Sequence, residues 1–87
     1  YIVVKDSAAS ALCHGAPLLR PGLISIDDNI SVGQEVVVFT NKDEVVGIVK
    51  MTVSSSEIIK LENGQIGKPV MVLMEQERYP VQWNNSK

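Results

Sequence analysis

The sequence predicts a mixed α/β, mainly β fold, a small pseudo-barrel of about six strands with two short helices. Three observations lead to this class. Short apolar runs rich in Val and Ile recur along the chain, turn residues separate them, and the helical stretches are too short to cross between parallel strands. The 87 residues suffice for one domain, residues 1–87, whose core needs no disulfide and which we expect to be part of a longer protein.

The first elements are a strand and a short helix. Residues 1–4 form an apolar, β-prone run, which predicts a strand. Asp6 and Ser7 are favourable N-cap residues ahead of a helix over residues 8–14. Gly15 stands where a left-handed residue commonly ends a helix, so we expect the helix to stop there.

A proline-containing segment and a hairpin make up the middle of the chain. Residues 16–22 carry two prolines and a glycine, and we expect a structured loop of limited freedom followed by a strand over residues 23–26. The strongest β segment spans residues 35–40. A polar connection leads from it into residues 45–52, so the two segments are predicted to pair antiparallel.

The C-terminal third predicts a helix and two further strands. Ser54 and Glu57 fit the capping-box pattern, which predicts a helix of one or two turns. Residues 70–74 form the next β run. The aromatic, amphipathic tail at residues 79–83 brings the number of strands to about six.

The residue types that carry chemistry do not form a recognisable active site. Cys13 and His14 are the one adjacent nucleophile and base, but neighbouring helical residues point about 100° apart and no orienting group accompanies them. We therefore expect Cys13 to be a buried apolar residue and His14 a surface residue at a helix end. The chain itself is not expected to be an enzyme.

We expect no cofactor, no metal and no small-molecule substrate. The sequence contains neither of the phosphate-binding motifs G-x-G-x-x-G and G-x-x-x-x-G-K-S/T. The acidic residues at positions 27, 28, 75 and 77 lack the pattern of a metal-binding loop. No apolar run is long enough to span a bilayer and no signal-peptide leader is present, so we expect a soluble intracellular protein without a membrane partner. The formal net charge is −2, so a polyanion has to meet a local basic patch.

Several short motifs resemble, in order and spacing, those of the PUA domain, an RNA-binding module. The similarity extends over residues 1–83 and is closer still to the PUA domain of the dyskerin family of H/ACA-guided RNA pseudouridine synthases. The motifs are Lys5-Asp6-Ser7-Ala8, His14-Gly15-Ala16, Pro21-Gly22, Lys42-Asp43-Glu44, and Met74 followed by Tyr79-Pro80 and Trp83.

The resemblance implies a PUA pseudo-barrel and a role in RNA binding. In that family the module holds the lower stem and the 3′-terminal ACA trinucleotide of an H/ACA guide RNA, while a separate domain converts the target uridine in rRNA or snRNA. The implied partners are the guide RNA and the other subunits of the H/ACA ribonucleoprotein. The implied RNA-binding residues are Lys5, Ser7, Ala11, His14, Gly15, Ala16, Pro17, Leu18, Leu19, Arg20, Met74, Arg78 and Tyr79.

Each group of these residues has a chemical role that suits RNA. Lys5 and Arg20 are expected to bind phosphates. The small residues at positions 15 and 16 let the backbone approach the RNA closely. Leu18 and Leu19 offer apolar walls to an unpaired base.

Two alternatives stay open at the level of the sequence. In the first, the chain is the PUA domain of another RNA-modifying or translation-associated protein. In the second, it is a protein-docking module that uses Trp83 and the apolar C-terminal strand. The resemblance implies that the parent protein is a pseudouridine synthase, in the nucleus and nucleolus if eukaryotic and in the cytoplasm if archaeal.

Overall fold

The computed structural model describes residues 1–74, which form six strands, two α-helices and one 3₁₀ turn. The 3₁₀ turn is Arg20–Gly22. The predicted strand at residues 79–83 lies outside the described residues. The elements are β1 (Ile2–Val4), α1 (Asp6–Cys13), β2 (Leu18–Leu19), β3 (Leu23–Ile26), β4 (Glu35–Thr40), β5 (Val45–Met51), α2 (Ser55–Ile58) and β6 (Gln65–Val72).

The strands form one curled sheet in the order β2-β6-β5-β4-β1-β3. Neighbouring strands pair antiparallel, except that β1 runs parallel to β4 with Ile2 opposite Val38. The two edge strands, β2 and β3, are joined by the three residues of the 3₁₀ turn. Because so short a connection keeps both edges close together, the sheet curls into the predicted pseudo-barrel.

The core lies inside this curl and is covered by α1. In β4, Val36, Val38 and Thr40 are buried, while the residues between them face outward, as the twofold alternation of a strand requires. Helix α1 contributes Leu12 and Cys13 to the same cluster. Among the described residues, no helix is long and apolar enough to cross a membrane.

The start of α1 differs from the predicted start. Lys5 has extended backbone angles and occupies the N-cap position, and its carbonyl oxygen accepts a hydrogen bond from the Ala9 N–H at 3.0 Å. Asp6 and Ser7 therefore lie in the first turn of the helix rather than at its cap. A carboxylate in the first turn is favourable because it faces the positive end of the helix dipole. The predicted end of the helix is confirmed, since Gly15 has a φ of +88°.

Two strands differ from the predicted pattern. The expected loop at residues 16–22 contains β2, which pairs with β6, and β6 begins at Gln65 rather than at residue 70. Pro69 lies in β6 at a register shift and beyond the end of β2, where a missing N–H costs no ladder hydrogen bond. Gly67 lies opposite Leu18 within the pairing of β2 and β6. Glycine usually interrupts a strand, but here it is part of β6.

The capping box of α2 is confirmed at its N-cap. The Ser54 hydroxyl oxygen accepts a hydrogen bond from the backbone N–H of Glu57 at 3.3 Å. Helix α2 is a single short turn, and Ile58 is its buried residue.

Gly47 permits the close approach of β5 and β6. A Cβ at this position would lie 2.2 Å from the Met71 carbonyl oxygen, which is backbone and cannot move aside alone. We expect Gly47→Ala to lower the free energy of unfolding by about 1–3 kcal/mol, the usual cost of overpacking. Urea denaturation measures this change.

The matched control is Gly67→Ala in the neighbouring strand. A Cβ at position 67 would lie 3.4 Å from its nearest neighbour, which is close to ordinary contact. This variant is expected to remain within about 0.5 kcal/mol of the wild type. Equal losses in the two variants would contradict the close-approach argument.

Candidate nucleic-acid interface

A surface cleft of about 370 Å³ lies between the outer side of α1 and the segment that follows it. This volume is within the range of about 300–1,000 Å³ that is typical of ligand pockets. Its walls combine small, apolar and polar side chains. The lining residues are Lys5, Ser7, Ala8, Ala11, Ala16, Pro17, Leu19, Pro21 and Gly22.

The helix side of the cleft follows from the spacing of small residues along α1. Ala11 follows Ser7 by four residues and Ala8 by three, which places both of them on the same face of the helix as Ala11. Alanine side chains leave the helix backbone close to the surface. The opposite face of α1 packs into the core through Leu12, so the helix separates the core from the cleft.

A backbone hydrogen bond joins the loop side of the cleft to the start of the helix. The Lys5 N–H donates to the Gly22 carbonyl oxygen at 2.8 Å. A Cβ at position 22 would lie 2.5 Å from the Ala8 Cβ, so the turn packs on the helix at the distance that glycine allows. Pro17 and Pro21 restrict the backbone of this wall.

The polar groups of the cleft are concentrated at the helix N-terminus. Lys5 is the one cationic residue among the cleft-lining residues, and its side chain is exposed. Ser7 is exposed beside it and carries a hydroxyl group. Leu19, with half of its surface exposed, presents an apolar surface on the loop side. The cleft therefore combines a cationic group and a hydroxyl group with apolar surface.

The structure brings together many of the residues that the resemblance implies. The cleft-lining ones among them are Lys5, Ser7, Ala11, Ala16, Pro17 and Leu19.

The residues at the end of α1 are engaged with the helix. His14 is exposed, and its Nδ1 donates to the Ser10 carbonyl oxygen at 2.8 Å. The N–H groups of Gly15 and Ala16 donate to the carbonyl oxygens at the end of the helix, at 3.0 and 2.9 Å. These two N–H groups are therefore not available to a ligand. Both residues are nevertheless small, so a ligand could approach the backbone closely.

Leu18 and Met74 lie in the core and not in the cleft. Leu18 is fully buried, so the expectation that its side chain forms an apolar wall for a base is wrong: strand alternation turns Leu18 inward and Leu19 outward. Met74 is 7% exposed, and its carbonyl oxygen lies 3.8 Å from the Cys13 sulfur. Arg78 and Tyr79 lie outside the described residues.

Arg20 is held by α2 and the loop that follows it. Its Nε donates to the Ile58 carbonyl oxygen at 3.1 Å, and its backbone N–H donates to the Gly64 carbonyl oxygen at 2.8 Å. Arg20 does not line the cleft. Part of its guanidinium group therefore serves the fold.

Sequence reasoning missed three residues of the cleft, namely Ala8, Pro21 and Gly22. A signal for each was present. Ala8 shares a helix face with Ala11, and Pro21-Gly22 is a turn dipeptide close to the helix in the chain. What the sequence did not contain is the contact that brings the turn to the helix.

Cys13 and His14 lie in different environments, one buried and the other exposed. Burial raises the pKa of the Cys13 thiol above its ordinary value, so the thiol is less acidic than a free one, as the expected buried role requires. His14 is exposed and bonded to its own helix. Among residues 1–74, no group of three or more His, Cys, Asp or Glu residues is arranged to hold a metal ion.

The curled six-stranded sheet with two short helices agrees with the PUA pseudo-barrel that the resemblance implied. The family model for the PUA domain matches residues 1–73. The chain belongs to this family, and the predicted fold is confirmed.

The chain is similar to parts of H/ACA ribonucleoprotein subunits and of probable tRNA pseudouridine synthases. The chain is 40% identical over 82 residues to "H/ACA ribonucleoprotein complex subunit DKC1" of Rattus norvegicus, covering 94% of the chain and 16% of that protein. It is 41% identical over 86 residues to "Probable tRNA pseudouridine synthase B" of Pyrobaculum arsenaticum, covering 99% of the chain and 26% of that protein. Among solved structures, the crystal structure of the archaeal box H/ACA sRNP Nop10-Cbf5 complex matches with a TM-score of 0.88 and 36% identity, covering 94% of the chain and 26% of the matched chain. The chain thus spans about a quarter or less of these relatives.

We expect the Arg20 hydrogen bond to α2 to contribute to stability. We expect Arg20→Met, which keeps the alkyl stem and removes the donor, to lower the free energy of unfolding by about 1–2 kcal/mol. Lys60→Met is the matched control, since Lys60 is exposed and its side chain has no partner among the described residues. Thermal and urea unfolding measure both variants, and an Arg20→Met variant as stable as the control would show that this bond does not support the fold.

Proposed function

We propose that this PUA domain binds RNA through the cleft beside α1, and that the ligand is the lower stem and 3′ ACA end of an H/ACA guide RNA. The observation that carries the proposal is the coincidence of two independent sets of residues. The residues implied by the family resemblance and the residues that line the cleft share Lys5, Ser7, Ala11, Ala16, Pro17 and Leu19.

The composition of the cleft suits an unpaired nucleotide. Unpaired bases are bound by apolar surface and by hydrogen bonds to exposed edges, whereas phosphates are bound by cations. Leu19 and the prolines supply the apolar surface, the Ser7 hydroxyl supplies a hydrogen-bonding group, and Lys5 supplies the cation. The small residues of α1 let a sugar-phosphate backbone lie against the helix.

The relatives support an RNA ligand and a protein assembly. The name of the rat relative places that protein in an H/ACA ribonucleoprotein, and the matched archaeal crystal structure is that of a Nop10-Cbf5 complex. The Pyrobaculum relative is called a probable tRNA pseudouridine synthase. We therefore propose that this chain is the RNA-binding part of a longer pseudouridine synthase, and that a separate domain of that protein carries out the isomerisation.

The location in the cell follows from the source of the parent protein. The relatives include proteins from a eukaryote and from an archaeon. A eukaryotic parent is expected in the nucleolus, where guide-directed rRNA modification would take place, and an archaeal parent in the cytoplasm.

A charge reversal at the rim of the cleft tests the proposal. Lys5→Glu is expected to weaken the binding of a short hairpin ending in ACA about tenfold, and to reduce the slope of log K against log salt by about 1. Fluorescence anisotropy at two salt concentrations measures both quantities. The control is Lys50→Glu, because Lys50 is exposed on β5 and does not line the cleft.

Two further RNAs complete the experiment. The same hairpin with an altered trinucleotide is expected to bind more weakly, by about 1–3 kcal/mol per lost base contact. A tRNA without this end serves as the alternative ligand. If Lys5→Glu and Lys50→Glu have equal effects, the cleft is not the binding site, and if the altered hairpin binds equally well, the ACA end is not recognised.

A further inference from the structure

The tip of the β4–β5 hairpin carries a lysine that reaches the start of α1. Residues 41–44 connect β4 to β5, and the Lys42 Nζ lies 3.5 Å from the Asp6 Oδ2. The motif Lys42-Asp43-Glu44 belongs to the family resemblance, but none of its residues lines the cleft. The ion pair brings this motif to the helix start, where the polar groups of the cleft are concentrated.

A buried threonine fixes the backbone of this tip. Thr40 is the last residue of β4 and has no exposed surface. Its hydroxyl oxygen accepts hydrogen bonds from the backbone N–H groups of Lys42, at 3.1 Å, and of Glu44, at 3.3 Å. Its carbonyl oxygen accepts another from the Asp43 N–H at 3.1 Å. The hairpin therefore presents Lys42 from a fixed position.

Asp6 places a negative charge beside the cleft. It stands between Lys5 and Ser7 in the chain, and both of these neighbours line the cleft. The Asp6 Oδ1 is buried and has no hydrogen-bond partner among the described residues. Within residues 1–74, Lys42 is the one side chain that forms an ion pair with this carboxylate. Without that partner, the carboxylate would repel a phosphate that approaches Lys5.

The ion pair is better suited to compensating charge than to stabilising the fold. The side chains of Lys42 and Asp6 are 67% and 46% exposed, and an exposed pair contributes little to stability because water screens it. Each charge still acts on an anion within a Debye length, which is about 10 Å in 0.1 M salt. The Lys42 ammonium group therefore cancels much of the repulsion that Asp6 exerts at the cleft.

We propose that Lys42 allows RNA to approach the cleft by compensating the charge of Asp6. The β4–β5 hairpin then belongs to the RNA site without lining it, and Lys42 is a positioning residue that acts through Asp6. The inference rests on the proposed function, because it takes an RNA phosphate near Lys5 as the group that is repelled.

Removing the two charges singly and together tests the proposal. Lys42→Met leaves Asp6 uncompensated, and it is expected to weaken the binding of the hairpin ending in ACA about fivefold in about 0.1 M salt. Asp6→Asn removes the repulsion and is expected to strengthen binding by a similar factor. The double variant carries neither charge, so its affinity is expected to return to within about twofold of the wild type. Fluorescence anisotropy measures all three variants.

The same measurements on a second RNA and at a second salt concentration identify the effect as one of charge. The three changes are expected to be equal for the hairpin with the altered trinucleotide, because a contribution from phosphates carries no sequence information. They are expected to become smaller at high salt, because salt screens exposed charges.

Lys42→Arg and Lys50→Met are the matched controls. Arginine keeps the positive charge, so Lys42→Arg is expected to retain the wild-type affinity. Lys50→Met removes a positive charge from an exposed position of β5 outside the cleft, and it is expected to change the affinity by less than about twofold. Circular dichroism checks the fold of each variant. If Lys42→Met does not fold, the sign of the Asp6→Asn effect decides, and weaker or unchanged binding overturns the proposal.

Other roles of the ion pair give other patterns. If the pair only fixes the hairpin to the helix, Asp6→Asn weakens binding as Lys42→Met does, which would overturn the proposal. If Lys42 itself binds a phosphate, the double variant remains weaker than the wild type, which would also overturn it. A normal Lys42→Met beside a weakened Lys5→Glu contradicts this inference and leaves the proposed function in place. If neither variant weakens binding, the proposed function fails, and this inference fails with it.

Discussion

The arrangement of the molecule depends on the close approach of the 3₁₀ turn to α1. Only glycine at position 22 allows this approach, because a Cβ there would lie 2.5 Å from the Ala8 Cβ. The Lys5 N–H holds the same junction by donating to the Gly22 carbonyl oxygen at 2.8 Å. Since this turn joins β2 to β3, the contact lies at the junction of both edge strands with the helix. Lys5, Ala8 and Gly22, which make this junction, all line the cleft. The same contacts therefore shape both the fold and the candidate site.

The net acidity of the chain is compatible with the proposed RNA site. The formal net charge of −2 describes the whole chain, whereas binding depends on the few groups that face the ligand. Lys5 occupies the N-cap of α1, at the rim of the cleft. The small residues of the helix leave this side of the cleft free of large side chains.

Elements with a strong local signal could be predicted from the sequence, and elements that depend on distant contacts could not. The β4 strand and the Ser54 cap follow from β-branched residues and from a hydroxyl at a helix start. Strand β2 has two residues and exists because β6 pairs with it, which no local pattern reveals. The resemblance located most of the cleft, but it included Leu18, which strand pairing turns into the core. Alternation is readable from a sequence only after the pairing is known.

An NMR titration of the 87-residue chain with a hairpin ending in ACA, beside the same hairpin with the trinucleotide altered, tests whether the cleft binds RNA. We expect amide shifts that are concentrated at Lys5, Ser7, Ala11 and residues 16–22 and that become weaker when the trinucleotide changes. Amides on the outer face, such as Ile48, should remain unshifted. Shifts confined to the outer face, or no localised shifts at saturating RNA, would contradict the assignment of the cleft as the RNA-binding site.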